Sequence, residues 1–278
     1  MFKGSVMKTL KIVNNFFCCV ALAGLAACGG GGAPTLVNSG GVSPEPTVMQ
    51  GVYSGKIGND DFVSLVVPTA DLAKVKWYGL TFRPLQTDIY AGELTLGAGG
   101  VATSSNLMAY LGNVLTSLNG VITEASLNAY SGSLTIPPSV TPVFFNTVAK
   151  KPPVFDAYQP AVLIDLDGDW RGDWIDGLDS SRGLLIRFSP STGKRILSSP
   201  SGFLGCTLSG ESSATPTSSG NFFAVTLKFE HQSGQICGRI GQTLSGVAAV
   251  YKPTPSTSRL EVIALDSSGR GISFRADR

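Results

Sequence analysis

Acidic side chains are concentrated between residues 165 and 176, where their spacing could serve a cation. They occupy relative positions 1, 3, 5, 9 and 12 of this stretch, as ligands do in an EF-hand calcium loop. Trp170 replaces the glycine that such a loop needs at its sixth position, and the twelfth residue is not the bidentate glutamate. We therefore favour a solvated strand edge whose negative charges oppose aggregation, with at most weak calcium binding. The five carboxylates are those of Asp165, Asp167, Asp169, Asp173 and Asp176.

Cys28 has the sequence context of a lipid attachment site. It follows a leader, residues 1–27, in which three lysines precede a mostly apolar run, as in an export signal. The apolar run is too short to span a membrane. Leu25-Ala26-Ala27-Cys28 resembles the lipobox of bacterial lipoproteins. This resemblance implies that signal peptidase II cleaves before Cys28 and that acyl chains, palmitate among them, anchor the mature protein. The alternative is an ordinary secretory signal followed by an unrelated cysteine.

A flexible tether is predicted after the lipidated cysteine. Residues 28–50 are rich in Gly, Pro, Ser and Thr, without a hydrophobic period, and such a segment reaches roughly 25 Å by random-coil scaling. Gly29 and Gly30 follow the cysteine, and by resemblance to the enterobacterial sorting rule the lack of aspartate there favours the outer membrane. The sequence leaves open whether the protein faces the surface or the periplasm, and whether translation starts at Met1 or Met7.

Besides the lipidated Cys28, the mature chain contains two cysteines, Cys206 and Cys237. An even pair in an exported protein predicts a disulfide, which favours that pairing over a catalytic thiol beside His231. His231 is the only histidine and follows an apolar strand pattern, so we expect a solvated turn residue. A lone histidine cannot form a multi-histidine zinc site, and no Gly-x-Ser-x-Gly elbow is present to suggest a hydrolase triad.

Two further motifs have alternative interpretations. Glu93 and Glu211 could serve glycoside chemistry if the fold brought them together, but their similar places in the two halves favour equivalent strand ends. Arg171-Gly172-Asp173 is the tripeptide of integrin ligands. Trp residues flank it on both sides, which indicates a strand rather than an exposed loop tip.

Charge excludes two classes of partner. Removing the leader's three lysines from 21 basic residues leaves 18 against 19 acidic residues, a net charge of about −1. The mature chain has no basic run longer than the pair Lys150-Lys151. It therefore lacks the long-range attraction that binding nucleic acid or anionic lipid requires. We expect no nucleic-acid partner, no cofactor, and a membrane contact through the N-terminal lipid alone.

Short alternating apolar runs bounded by turn residues predict an all-β protein. One example is the C-terminal hairpin, with strands at residues 262–265 and 272–274. The length suits two similar antiparallel domains, each a β-sandwich or a small β-barrel. The strongest helix candidate is Ser104 to Leu118, in which Leu107, Leu111 and Leu115 recur every four residues.

The two halves of the mature chain match each other, which weakens that helix. Gly51 to Gly55 matches Gly168 to Gly172 at an offset of 117, both as Gly-x-aromatic-x-Gly, with Tyr53 and Trp170 expected in the cores. Further matches are Gly92-Glu93 with Gly210-Glu211 (118), residues 106–109 with 221–224 (115), residues 117–121 with 243–247 (126), and Leu134 and Ile136 with Leu260 and Val262 (126). A slowly varying offset with a single insertion indicates a diverged duplication.

These observations predict a first β-domain over residues 51–148, a linker over 149–160 around Pro152-Pro153, and a second β-domain over 161–278. Without a nucleophile, base and orienting group in a recognisable set, we expect a non-enzymatic, lipid-anchored envelope protein that binds a small molecule or a protein. A structural or assembly lipoprotein and an envelope hydrolase are the alternatives. A neutral interface built on Tyr90, Tyr110, Trp170 and Trp174 competes with core packing of the same side chains.

Overall fold

The computed structural model describes residues 49–83, 86–176, 179–203, 205–215 and 220–278. The predicted leader, the lipid attachment site at Cys28 and the tether up to residue 48 lie outside the described residues. The described chain is built from sixteen strands and two short 3₁₀ turns.

The first eight strands form a closed antiparallel barrel in which each strand pairs with its neighbour in sequence and β8 returns to β1. The strands are β1 (Gly51–Ile57), β2 (Asp60–Pro68), β3 (Lys74–Arg83), β4 (Gln86–Leu96), β5 (Ala102–Leu111), β6 (Val114–Ala125), β7 (Ala129–Thr135) and β8 (Val143–Ala149).

The last eight strands repeat this order, and β16 closes the second barrel against β9. They are β9 (Gly168–Asp176), β10 (Asp179–Ser191), β11 (Lys194–Phe203), β12 (Cys206–Ala214), β13 (Phe223–His231), β14 (Thr243–Thr254), β15 (Thr257–Leu265) and β16 (Gly271–Asp277). The predicted all-β class with two similar domains is confirmed, and of the two open alternatives the domains are barrels. The predicted C-terminal hairpin is β15 and β16.

Large side chains fill both barrel interiors. Alternation along each strand turns every second residue inward, and eight strands leave an interior that side chains can fill. The aromatic core residues are Tyr53, Phe62, Trp77, Tyr90, Tyr130 and Phe145 in the first barrel, and Trp170, Trp174, Phe188, Phe223, Phe229 and Phe274 in the second.

The helix candidate over Ser104 to Leu118 is wrong. The segment forms β5 and β6, which are joined by a two-residue turn at Gly112 and Asn113. Gly112 has φ of +57°, a conformation that glycine adopts without steric cost and that tight hairpin turns require. The four-residue leucine spacing therefore spans two strands.

A third apolar cluster joins the barrels. It is made of outward-facing side chains of β1 to β5 and of β14 and β15, including Leu65, Leu80 and Ile263. The segment after β8 packs into the same cluster through buried Phe155 and Ala157. The predicted linker therefore runs between the barrels with part of its length in their shared core.

The sequence match between the halves relates strands of the same rank, but two of its offsets are wrong. Leu107 pairs with Leu118, and Leu227 pairs with Leu244, so the fifth strands correspond at an offset of 120 rather than 115. Likewise Gly120 faces Leu134 and Gly246 faces Ala264, which gives 130 rather than 126 for the seventh strands. The error of five residues in the fifth strand is odd and exchanges inward and outward faces, whereas the error of four in the seventh strand preserves them. The offset drifts at several places instead of jumping once.

The barrels differ in how polar their interiors are. In the first barrel the Tyr130 hydroxyl accepts a hydrogen bond from Trp77 Nε1–H at 2.9 Å and also contacts the hydroxyl of Ser64. The strand pairings of the two barrels align Tyr130 with Leu260, Trp77 with Leu197 and Ser64 with Ile186. The second barrel therefore has apolar residues at all three positions.

Candidate functional site

The predicted strand edge over residues 165–176 is wrong, because β9 pairs with both β10 and β16 in the closed barrel. The acidic side chains of this run are held separately. Asp167 and Asp169 form ion pairs with Arg195 and Arg187, and Asp176 is buried and paired with Arg239 at 2.6 Å. Asp165 lies in the 3₁₀ turn before β9, and Asp173 is exposed on that strand. Within the described part of the chain, no group of three potential metal ligands comes together.

The geometry decides whether Arg171-Gly172-Asp173 forms an exposed loop tip or part of a strand. Trp170 and Trp174 are fully buried in the second barrel, so the intervening Arg171-Gly172-Asp173 lies in mid-strand, with Gly172 paired to Leu184 and Ala276. A Cβ at Gly172 would lie 1.9 Å from the carbonyl oxygen of Arg275. Backbone packing therefore explains this glycine.

Cys206 and Cys237 form the predicted disulfide. It attaches the β13–β14 loop, residues 232–242, to the start of β12, whereas the corresponding connection in the first barrel is the two-residue turn at Gly112. His231 is exposed at the end of β13, opposite Cys206. Because both sulfurs are bonded to each other, neither is a thiol that His231 could activate.

Glu93 and Glu211 occupy equivalent places in the two barrels and are not brought together. Each forms an ion pair with a lysine of the preceding strand, Lys74 or Lys194. In both barrels that lysine lies two residues before the glutamate's paired partner. Both glutamates therefore serve as outer-face ion-pair partners.

The four aromatic residues considered for a neutral interface are all buried. Tyr90, Trp170 and Trp174 lie in barrel interiors, and Tyr110 lies between the barrels. Tyr110 donates a hydrogen bond to Asp176 at 3.4 Å, a polar contact that joins the two barrels. The hypothesis of a surface built on them is wrong, because packing occupies their rings.

A polar cavity of about 150 Å³ lies between the barrels. The first barrel contributes the ends of β3 and β4, and the second contributes β9, β10, β15 and β16. The cavity is lined by Phe82, Arg83, Thr87, Asp173, Ile175, Ser180, Arg182, Glu261, Ser273 and Arg275.

Glu261 is the most unusual residue of this cavity, because its carboxylate is fully buried. Its Oε1 accepts hydrogen bonds from Arg275 Nε at 2.6 Å and from the Tyr251 hydroxyl at 3.0 Å. Burial and the nearby Glu261 charge raise the pKa of Tyr251 far above its usual range, which keeps that hydroxyl a donor. The second carboxylate oxygen, Oε2, has no hydrogen-bond partner among the described residues.

Thr87 lines the same cavity and has a second buried polar atom. Its side chain is fully buried, and Oγ1 has no hydrogen-bond partner in the described part of the chain. A buried polar group without a partner costs about 1–3 kcal/mol. Two such atoms, from different barrels, belong to residues that line this one cavity.

Arginines supply the positive charge of the cavity. The Arg275 guanidinium stacks on Phe82, with Cζ 3.5 Å from the ring centroid. Arg83 is engaged by Asp60 and Asp88, whereas Arg182 is exposed at the mouth. Buried Glu261, Thr87 and Ser273 thus form the floor, and Arg182 and Asp173 stand at the entrance.

A separate apolar surface lies on the outer face of β7 and β8 in the first barrel. Phe144 and Val148 are 69% and 60% exposed there, beside a groove of about 620 Å³ that Ser131 and Asn146 help to line. From Leu94 to Ala149 the sequence contains one charged residue, Glu124. Contiguous uncharged surface of this kind is typical of interaction sites.

Sequence reasoning missed Glu261, Thr87 and Arg182. The available signal was Glu261, a single carboxylate within the apolar run Leu260 to Leu265. An ionisable residue in a fully buried strand is rare unless it is paired. That Thr87 of the first barrel lines the same cavity could not be inferred without the packing of the barrels.

Comparisons with known proteins assign no function to these residues. No protein-family model matches the chain, and no curated protein matches it. Among solved structures, the chain is similar to a protein of unknown function from the DUF3598 family of Nostoc punctiforme PCC 73102. Identity is 10%, with 84% of this chain and 96% of that chain covered and a TM-score of 0.26. Among the described residues, no helix is long and apolar enough to cross a membrane.

Proposed function

We propose that this chain is a lipid-anchored, non-enzymatic protein of the bacterial outer membrane that binds a small polar ligand between its two barrels. The observation that carries the proposal is the inter-barrel cavity with the unpartnered Oε2 of buried Glu261. Loops and clefts at domain boundaries are common ligand sites, and side chains occupy both barrel interiors.

Thermal unfolding of the mature lipoprotein in detergent micelles tests ligand binding. A ligand that binds only the folded state raises Tm in a concentration-dependent way. We expect at least one class in a panel of amino acids, sugars, polyamines and dicarboxylates to raise Tm of the wild type and of Glu93→Gln. The same compound should have little effect on Glu261→Gln. A panel without any stabilising compound would contradict the proposal.

Metabolic labelling with a fatty-acid analogue tests the anchor. Label should be lost in Cys28→Ala and retained in Cys19→Ala, because Cys19 belongs to the predicted leader. Undiminished label in Cys28→Ala would refute lipidation at that residue.

An assembly role is the second candidate, and the uncharged face around Phe144 and Val148 favours it. A photo-crosslinking residue at position 144 should then capture a specific envelope protein in intact cells. Position 196, a half-exposed isoleucine on the outer face of the second barrel, serves as the control. Equal crosslinking from the two positions would argue against a specific face.

A further inference from the structure

Glu261 offers an unused hydrogen-bond acceptor at the floor of the inter-barrel cavity. Glu261 Oε2 is buried without a partner among the described residues, and an acceptor in that position is costly unless a ligand donates to it. A primary ammonium group carries three donors and a positive charge, so it complements a carboxylate oxygen better than a neutral hydroxyl does.

Arginines of the same cavity offer N–H donors to an acceptor group. Arg182 at the mouth and Arg275 beside Glu261 both line it. Guanidinium groups match the planar geometry of a carboxylate and bind it through paired N–H donors. Thr87 Oγ1 can donate to the same group.

The arrangement of charges disfavours ligands with charge of a single sign. A simple anion would face Glu261 and Asp173, and a simple cation would face Arg83, Arg182 and Arg275. A cavity of about 150 Å³ has the volume of roughly five water molecules in the liquid. It suits a compound of the size of an amino acid.

We propose that the cavity between the barrels binds a small zwitterion with the chemistry of a free α-amino acid. Its ammonium group binds Glu261 Oε2, and its carboxylate binds Arg182 and Arg275. This inference rests on the proposed binding function and specifies the ligand class for the same site.

Calorimetric titration of the mature lipoprotein with the free amino acids tests the ligand class. The tightest binder is then compared with its N-acetyl derivative, which lacks the ammonium charge, and with its amide, which lacks the carboxylate. Each derivative should bind about tenfold more weakly or worse, as expected when one partner of a buried charge pair is removed.

Two variants assign each end of the ligand. Glu261→Gln keeps a carbonyl for Arg275 and Tyr251 but can place N–H donors where Oε2 was. It should weaken binding of the amino acid about tenfold or more and leave the N-acetyl derivative unaffected. Arg182→Met should weaken the amino acid but not its amide. Glu93→Gln and Arg187→Met, on outer faces away from the cavity, are the matched controls.

If Glu261→Gln does not fold, the derivative series and the exposed-site variant Arg182→Met still decide the question. Equal binding of the amino acid and both derivatives would overturn the zwitterion. Glu261-dependent binding of a sugar, an amine or a dicarboxylate instead would overturn the ligand class while leaving the binding function intact. No binding by any class would overturn both.

Discussion

The Glu261 carboxylate of the second barrel and the Thr87 hydroxyl of the first line one cavity, and each has a buried oxygen without a partner among the described residues. Neither barrel forms this site alone, because β3 and β4 supply one wall and β9, β10, β15 and β16 supply the other. The apolar contact that includes Leu65, Leu80 and Ile263 holds the walls together.

Replacing Thr87 by valine should stabilise the protein and impair binding. Valine has nearly the shape of threonine and removes a hydroxyl that has no partner, so we expect the free energy of unfolding to rise by about 1 kcal/mol. Thr81→Val is the control, because the Thr81 hydroxyl is within hydrogen-bond distance of Asp88 and its loss should be destabilising. Urea denaturation measures both. A destabilised Thr87→Val protein would argue that the hydroxyl has a structural partner.

The polar cluster inside the first barrel should be sensitive to Tyr130→Phe. That change leaves Trp77 Nε1–H and the Ser64 hydroxyl without the Tyr130 oxygen, and we expect a loss of about 1–3 kcal/mol in unfolding free energy. Combining Tyr130→Phe with Ser64→Val should cost less than the sum of the single changes, since the second barrel uses apolar residues at these positions. Strict additivity would show that the three side chains are not coupled.

Most of the fold followed from the sequence. Alternating apolar residues indicate strands, and short turns indicate that consecutive strands pair with each other. The disulfide and the core positions of Tyr53 and Trp170 were predictable for similar reasons. The registers of the fifth and seventh strands were not, because runs of similar residues along a strand match at several offsets. In the fifth strand the mismatch also exchanged inward and outward faces. The cavity depends on contact between outer faces of the barrels, which no local pattern encodes.

The disulfide should contribute about 3–4 kcal/mol to unfolding free energy, because it joins residues 31 apart in sequence and restricts the unfolded chain. The double change of Cys206→Ala and Cys237→Ala should lower the urea midpoint, and reductant should shift the wild type but not the variant. Titration of two free thiols in the untreated native protein would contradict the bond.

Alkaline titration should show unusually late ionisation of tyrosine. The pKa values of all seven tyrosines are raised, chiefly by burial, and that of Tyr130 reaches about 12. Because these folded-state values exceed the unfolded value near 10, the associated stability is fully present below pH 10 and is lost as pH rises towards 12 and above. Tyrosinate absorbance should therefore appear together with loss of the β-sheet circular dichroism signal. Ionisation of most tyrosines near pH 10 in the folded protein would contradict their burial.

Equilibrium dialysis against a radiolabelled amino-acid mixture tests most directly whether this protein holds an amino-acid-like ligand between its barrels. The mature wild-type protein and the Glu93→Gln variant should retain label in proportion to protein concentration. The Glu261→Gln and Arg182→Met variants should retain little. Label at the dialysate level in the wild type, or equal retention by all four proteins, would contradict the proposal.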